Sequence, residues 1–298
     1  MIPSFLPFLR AGAPVEDGPF DIASMILHHL ADGTYWETPF GTLHLPQFAP
    51  FQLGPLLIDF SITRHVLFMM IAAALVAFIL IAAARGAQRE QASGAGRGPK
   101  GAANVVEAMI LFVRDEIALK NIGHGGERYV PYIVTVFFFI LFCNLLGLVP
   151  WGATPTGNIS VTAALAVMSL VMIEVAGMRE LGFRGYMGTI FYAPHGMHWA
   201  MKIPMYIIMT PVEFMGKLAK PFALAMRLYA NMTAGHAVVL ALVGLLVVAS
   251  QAGAFWVAPA PLFMAVGIMV LEIFIAFLQA YVFAVLSSVF VGLIRHAH

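Results

Sequence analysis

Charged residues and cysteine are scarce in this sequence. Asp, Glu, Lys and Arg make up 10% of its 298 residues, and their charges nearly cancel to a net +1. Because binding to nucleic-acid phosphates needs a concentrated basic surface, nucleic acid is excluded as a partner. The one cysteine, Cys143, has no second cysteine to pair with, which excludes a disulfide within the chain.

Hydrophobic residues dominate instead, at 61% of the chain, whereas soluble domains carry roughly 25% charged residues. We therefore predict an all-α polytopic membrane protein with five membrane-crossing helices and one amphipathic surface helix, the last two crossing helices being long, tilted and antiparallel. Residues 61–298 would form the membrane domain, and residues 1–60 an extracytoplasmic N-terminal segment. The predicted membrane helices cover residues 62–84, 132–150, 161–178, 205–250 and 261–295.

Basic residues on the connecting segments predict the orientation of the chain. They follow the first and third spans with little opposing charge: Arg85, Arg89, Arg97, Lys100, Arg179 and Arg184. By the positive-inside rule these segments and the C-terminus are cytoplasmic. The N-terminus, which has no convincing signal peptide, is expected outside the cell.

Residues 104–121 are too charged to cross a membrane. Their apolar residues, Val105, Met109, Phe112 and Val113 among them, recur at helical spacing. This pattern favours an amphipathic helix on the cytoplasmic surface or against neighbouring helices. An ordinary helix with a solvated face is the alternative.

The stretch from Met205 to Ser250 is too long for one upright span, since a helix of that length would measure about 69 Å. We expect it to tilt, bend or break, with kinks at Pro211 and Pro221. Its lysines, Lys217 among them, are interpreted as side chains that reach the lipid interface. The preceding residues 182–202 are expected to form a loop.

The first 60 residues have two local signals. Asp21 is a possible N-cap for a short helix that runs to His29. A short hairpin is expected around Pro39 to Gly41. The rest of this segment mixes proline, glycine and aromatic residues without a clear period.

Two groups of histidines have spacings that invite interpretation as a metal site. His28 and His29 lie near Asp32, but adjacent histidines on a helix point about 100° apart and rarely share an ion. His195 and His198 have no further histidine or cysteine nearby to complete a ligand set. We expect neither a metal nor a cofactor.

Arg227 carries a charge inside the apolar stretch from Lys220 to Leu240. A guanidinium does not lose its proton in proteins, and at mid-membrane it costs from about 3 to above 10 kcal/mol. We therefore expect it only where the charge itself is used. Asn231 lies one turn further on the same face, where small residues keep the helix thin. Glu213 lies about four turns before Arg227, on roughly the same face.

His236 falls on the opposite side of this helix and needs its own polar surroundings. The last apolar run offers Glu272 and Gln279. If the two helices are antiparallel, the pairs Arg227 with Gln279 and His236 with Glu272 have nearly equal index sums, so one register fits both. The two levels would be about 13 Å apart.

The segments RLYANMTAGH, from Arg227, and EIFIAFLQAYVF, from Glu272, resemble subunit a of the F-type ATP synthase. The resemblance covers roughly residues 60 to 295. It implies that Arg227 is the essential arginine, with Asn231 and Gln279 as the family's asparagine and glutamine. His236 and Glu272 are exchanged relative to some members, and such an exchange favours their being neighbours.

The resemblance implies a non-catalytic, proton-conducting stator in a bacterial inner membrane. Its partners would be the c-ring, the peripheral-stalk b subunits, the remaining ATP synthase subunits and membrane lipid. Protons would enter near His236, Glu272, Asn231 and Gln279 and leave past Glu213, and protons rather than sodium follow from the family majority. A stand-alone ion-coupled secondary transporter is the alternative, but the sequence has no internal repeat.

Overall fold

The structure is a computed structural model that describes residues 21–38, 41–48, 51–53, 56–58, 61–93, 101–149, 151–191 and 199–295. The predicted loop with His195 and His198 lies outside the described residues, as does most of the linker that follows the first membrane helix. Most of the described residues are helical, as the predicted all-α fold class requires. In the ranges just given, no group of three or more histidine, cysteine, aspartate or glutamate residues could hold a metal ion.

The elements follow one another in a simple order. A short helix and two hairpins precede the long helices. The α-helices are α1 (Ile22–Leu30), α2 (Arg64–Ser93), α3 (Ala102–Phe112), α4 (Lys120–Ile122), α5 (Val130–Leu148), α6 (Ile159–Ile190), α7 (Trp199–Gln251) and α8 (Pro259–Arg295). The strands are β1 (Tyr35–Thr38), β2 (Gly41–His44), β3 (Phe51–Leu53) and β4 (Leu56–Ile58).

Five helices in the described part of the chain are long and apolar enough to cross a membrane, namely α2, α5, α6, α7 and α8. Their number agrees with the prediction, because a run of about 20 apolar residues is a strong signal. Their ends are less well predicted. Helix α6 continues to Ile190, so the expected loop from residue 182 is wrong over its first nine residues.

Glycine explains the error at the end of α6. Gly182 has φ 69° and ψ 166°, which is not helical, and it lies inside the helix at a kink. Glycine adopts positive φ without the steric cost that a side chain brings, so the chain turns there and the helix resumes. The resumed part buries Tyr186, and that burial is not visible in the local glycine-rich sequence.

Helix α7 is continuous over 53 residues although Pro204, Pro211 and Pro221 lie inside it. Each proline removes one backbone hydrogen bond and favours a local bend. At 1.5 Å per residue α7 is roughly 80 Å long, far more than the roughly 30 Å of hydrocarbon in a bilayer. The helix is therefore even longer than the sequence predicted.

The chain divides into two compact units. Unit 1 comprises Met1–Ala77, Phe139–Asn158 and Tyr229–Gln279. Unit 2 comprises Phe78–Phe138, Ile159–Leu228 and Ala280–His298. The candidate residues divide between the two units.

In unit 1, the predicted short helix and hairpin are both present. Asp21 caps α1 by accepting hydrogen bonds from the backbone amides of Ala23 and Ser24. Strands β1 and β2 are antiparallel, with Tyr35 opposite His44. The second antiparallel pair, β3 with β4, was not predicted, because its strands are only three residues long.

In unit 2, the predicted amphipathic helix runs as α3, a π-helical stretch Val113–Leu119 and then α4. Val113 and Ile117 are fully buried, whereas Val105 and Phe112 are exposed. Apolar residues are therefore exposed in the first half of the predicted helix and buried in its second half. A π-helix has more residues per turn than an α-helix, so α-helical spacing does not apply to Val113–Leu119.

Candidate functional site

The centre of the site in unit 1 is a contact between α7 and α8. Nδ1 of His236 lies 3.3 Å from Oε1 of Glu272. Glu272 is only 4% exposed, and His236 is partly buried. The predicted antiparallel register is confirmed for this pair.

The other ring nitrogen of His236 limits where the proton can be. Nε2 lies 2.9 Å from the carbonyl oxygen of Gly147 and 3.1 Å from the hydroxyl of Thr154. A carbonyl only accepts hydrogen bonds, so the network assigns a proton to Nε2. Nδ1 then faces a carboxylate oxygen, and a favourable contact needs one more proton on either Nδ1 or Oε1. The contact thus brings one acid and one base together in a largely buried place.

Gly235 allows α7 to approach α8 this closely. A Cβ added at Gly235 would overlap the carboxylate of Glu272. The loop after α5 is equally close-fitting, because a Cβ at Gly147 would overlap the side chain of Thr154. Small residues at these positions therefore determine the distance between the imidazole and its partners.

Asn144 ties α5 to α8 beside this pair. Its buried side chain donates a hydrogen bond from Nδ2 to the carbonyl oxygen of Ala276, at 3.3 Å. Its Oδ1 accepts one from the hydroxyl of Thr156, at 2.6 Å. Ala276 is one turn from Glu272 on α8. Asn144 therefore joins α5 both to α8 and to the loop that contains Thr156.

Two other candidates in unit 1 have contrasting surroundings. Gln279 is 3% exposed and belongs to the buried face of α8. Asn231 is exposed on α7, next to the exposed Ala230 and close to the exposed Ala234. Helical geometry puts Asn231 and His236 about 140° apart around α7. Asn231 is therefore not part of the buried cluster around Glu272.

In unit 2, Arg227 is exposed on α7, between the buried residues Ala225 and Leu228. An exposed guanidinium on a helix this apolar would have little water around it if the helix crosses a membrane, and the charge then needs an acidic partner. Glu213 is also exposed, and it lines a cavity of about 140 Å³.

Four ionisable side chains line this cavity: Glu174, Glu213, Lys217 and Lys220. Nζ of Lys217 lies 3.7 Å from Oε2 of Glu174 and donates a hydrogen bond to the hydroxyl of Tyr186 at 3.1 Å. Nζ of Lys220 lies 4.9 Å from the centre of the Phe290 ring. The interpretation of these lysines as anchors at the lipid interface is wrong for Lys217, which is held inward by a carboxylate and a phenol.

Several polar residues of these two sites had no signal in the sequence. Gly147 contacts His236 from the last turn of α5, and Thr154 contacts it from the loop that follows. The pairing of Glu174 with Lys217 joins two helices at positions far apart in the chain. Glu174 could have been predicted as a site residue because it is a charged residue inside an apolar run. The sequence around it does not indicate which residue it pairs with.

Comparison with known proteins agrees with the motifs. The family model described as ATP synthase A chain matches residues 66–292. The chain belongs to this family. It is 43% identical to the ATP synthase subunit a of Chloroherpeton thalassium over 268 residues, covering 90% of this chain and 75% of that protein.

Two further relatives extend the comparison. The chain is 44% identical to ATP synthase subunit a 2 of Chlorobaculum tepidum, over 94% of this chain and 74% of that protein. It is 39% identical to the subunit a of Anaeromyxobacter sp., over 98% of this chain and 76% of that protein. The prediction of the stator subunit of an F-type ATP synthase, a multi-pass membrane protein within a rotary ATPase complex, is thereby confirmed.

Proposed function

We propose that this chain carries protons between two aqueous half-channels and the c-ring of the ATP synthase, without catalysing a reaction itself. The observation that carries the proposal is the buried contact of His236 with Glu272, on the same pair of helices that bears Arg227. In the sequence of α7, Arg227 lies between Glu213 and His236. This order supports one path on each side of the arginine.

The inlet would end at the His236 and Glu272 pair. A pair that holds one exchangeable proton can receive a proton from water and pass it on without creating two buried charges of the same sign. We propose that Asn231, exposed on α7, and Gln279, buried on α8, guide the proton from this pair to a ring carboxylate. Both have amide groups that donate and accept hydrogen bonds.

Arg227 would act as the barrier between the two paths. A permanent cation beside a ring carboxylate favours its ionised form, so it lowers the pKa of that carboxylate and promotes proton release. The same charge opposes a proton that hops directly from inlet to outlet. Each charge that crosses 100 mV gains about 2.3 kcal/mol, and this free energy drives rotation only if such a leak is prevented.

The outlet would pass through the cavity that Glu213 lines. Its two carboxylates and two ammonium groups make it polar enough to hold water. Glu213 is exposed, whereas Glu174 contacts Lys217. Glu213 is therefore the carboxylate available to accept a proton there.

The exposed side of the last two helices fits a docked c-ring. Along the part of α8 in unit 1, large apolar residues including Phe263, Val270 and Phe274 are exposed, while α7 exposes the small Ala230 and Ala234. A contiguous apolar surface of this kind is covered by lipid or protein. The stator must also resist the torque of the ring, and we assign that task to the peripheral-stalk b subunits and the remaining ATP synthase subunits.

The proposed membrane is the bacterial inner membrane, with the N-terminal segment outside and the C-terminus in the cytoplasm. Exposed cations of unit 2, including Arg85, Arg179 and Arg184, support this orientation. The short helix and hairpins of residues 21–58 would then lie on the outer side.

The test is replacement of Arg227 in the complete complex, reconstituted in lipid vesicles. We expect Arg227→Ala to abolish ATP-driven proton pumping and to allow a passive leak. Arg227→Lys is also expected to fail, because a lysine lacks the planar, permanently charged guanidinium. Arg114→Ala removes an exposed cation of unit 2 and serves as the matched control. Full pumping by Arg227→Ala would overturn the proposal.

A further inference from the structure

A second cavity, of about 40 Å³, lies in unit 1 between the N-terminal residues and His236. Its lining includes His29, Arg64, His65, Thr154 and His236. A cavity needs about 10–15 Å³ to hold one water molecule, and this lining supplies polar partners for water. Three of these residues, His29, Arg64 and His65, lie outside the segment that the family model matches.

His65 and Asp32 form an acid and imidazole pair at this cavity. Nδ1 of His65 lies 3.1 Å from Oδ1 of Asp32, and the same oxygen accepts a hydrogen bond from the backbone amide of His65 at 3.2 Å. The imidazole is 6% exposed and the carboxylate 26%. Asp32 therefore faces solvent on one side and the buried ring on the other.

The cavity thus has a similar pair at two points of its lining. His236, with Glu272, repeats the arrangement of His65 with Asp32, each imidazole having Nδ1 directed at a carboxylate. A carboxylate on Nδ1 fixes the orientation of the ring. At His65 the carboxylate of Asp32 lies at Nδ1, so Nε2 is the ring nitrogen available to water in the cavity.

The N-terminal helix is fixed firmly enough to hold this pair in place. Met25 on α1 is buried against Val247 of α7, and Gly244 leaves room there, since a Cβ would meet the side chain of Ile22 at 3.0 Å. Such a contact is closer than packed side chains normally tolerate, so Gly244 allows α1 to lie directly on α7.

The end of α1 is also tied to α2. Nη2 of Arg64 donates hydrogen bonds to the carbonyl oxygens of His29 and Ala31, at 2.7 and 2.9 Å. These carbonyls belong to the C-terminal end of α1, where a cation interacts favourably with the helix dipole. Asp32 follows directly and is thereby positioned over His65.

We propose that Asp32 and His65 form an outer proton relay, in which His65 takes a proton from external water and delivers it through water in this cavity to His236. The inference rests on the proposed function, because it needs His236 to be the inner end of the inlet. Each transfer moves one proton from a protonated nitrogen or water to the next acceptor, so no further reactant is required.

The charged groups around His65 are compatible with this role. Asp32 follows α1, Arg64 is on α2 and His29 is on α1, while His236 on α7 lies across the cavity with Glu272 of α8 behind it. The loop residues 152–157 that complete the lining include no charged residue. The positive charge of Arg64 is directed at backbone carbonyls, and the carboxylate of Asp32 lies 3.1 Å from Nδ1 of His65.

The experiment measures ATP synthesis by the intact complex in vesicles, at constant total driving force and varied pH on the side that faces residues 21–65. His65→Gln keeps a polar side chain but does not carry a proton at neutral pH. We expect its rate to fall about fivefold or more at alkaline outer pH and little at acidic outer pH, because a proton relay matters most when protons are scarce. His44→Gln, an exposed histidine on β2, is the matched control.

Two further measurements separate a relay from a structural role. Imidazole added on the outer side should restore the rate of a His65→Ala complex, since a small base can enter the cavity and carry the proton. Asp32→Asn should give the same pH dependence with a smaller loss. A His65→Gln rate equal to wild type at every outer pH, or a His65→Ala loss that imidazole does not reverse, would overturn the relay.

The same vesicles distinguish failure of this inference from failure of the proposed function. If Arg227→Ala is inactive while His65→Gln behaves like wild type, the relay is wrong and the proposed function stands. If Arg227→Ala synthesises ATP normally, the proposed function itself is wrong, and the relay falls with it. Recovery of the c-ring with each purified variant verifies that the complex has assembled.

Discussion

The imidazole of His236 and the carboxylate of Glu272 face each other across two antiparallel helices, with 3.3 Å between Nδ1 and Oε1. The opposite ring nitrogen contacts a carbonyl oxygen and a hydroxyl. These contacts leave one proton to be shared between the two side chains. The predictions below test this pair, the packing that positions it, and the charges on either side of it.

Exchanging the two residues of the pair should preserve part of its function. His236→Glu alone places two carboxylates in contact and removes the base of the pair, and two like charges at this distance repel each other. We expect proton pumping to fall severely. Adding Glu272→His restores one acid and one imidazole and should recover part of the rate, with a coupling free energy of about 0.5–3 kcal/mol.

The measurement for the exchange is a double-mutant cycle on ATP-driven proton pumping. Glu127→His, an exposed acid of unit 2, controls for the general effect of adding a histidine. Additive losses in the two single variants and the double variant would show that the residues act independently.

Gly235→Ala should damage the pair without changing either of its members. The added methyl group would overlap the Glu272 carboxylate, so the end of the Glu272 side chain must move away from α7. We expect slower pumping because Glu272 is displaced from His236. Gly216→Ala, on the same helix with no atom within 4 Å of the added Cβ, is the matched control and should pump normally. Equal rates for both variants would contradict the close approach.

The pair of Lys217 with Glu174 should contribute more to stability than an exposed pair with a shorter distance. Its side chains are 15% and 21% exposed, against 69% and 58% for Lys120 with Glu116 at 2.9 Å. Lys217→Met leaves Glu174 without its cation in a largely buried place, and we expect a loss of about 1–3 kcal/mol. Lys120→Met should cost much less than Lys217→Met, because water and salt screen an exposed ion pair.

Thermal unfolding of the purified complex measures both lysine variants. Adding Glu174→Gln to Lys217→Met should recover part of the loss, because the unpaired charge is removed. A double variant less stable than Lys217→Met alone would show that Glu174 has a different partner.

Asp32 should make the N-terminal helix sensitive to strong acid. Partial burial by itself raises the pKa of its carboxyl, but hydrogen bonds and charge from His65, with a hydrogen bond from Thr63, outweigh burial and lower the pKa from 3.8 to about 2. The ionised form is therefore favoured by folding. Its stabilisation is complete above pH 3.8 and is lost as the pH falls to about 2.

Resistance of residues 21–65 to pepsin, which works at acidic pH, measures this effect. We expect wild-type resistance to fall between pH 3.8 and about 2. Asp32→Asn should already be more susceptible at pH 5, by about 1 kcal/mol after solvent screening is allowed for, and should lack that step. Asp115→Asn, an exposed acid of unit 2, is the control. An identical acid profile for Asp32→Asn and wild type would refute the assignment.

Much of the fold of this protein can be predicted from its sequence. Long apolar runs predict five crossing helices because a backbone in lipid must satisfy its own hydrogen bonds. The contact between His236 and Glu272 can be predicted because each residue of a helix adds the same rise. Residue numbers alone therefore give the register of two antiparallel helices. The short α1 and the first hairpin follow from a capping aspartate and a turn.

Tertiary structure alone decided the contacts between residues whose positions no periodicity relates. Asp32 meets His65 and Lys217 meets Glu174 only after separate helices have packed, and the distances depend on which small residues allow close approach. The break of α6 at Gly182 and the π-helical stretch before α4 likewise depend on what each segment packs against. Local sequence determines the length and polarity of a segment. An unpaired buried charge is costly wherever it lies, so it needs a partner. Which residue becomes that partner depends on how the helices pack.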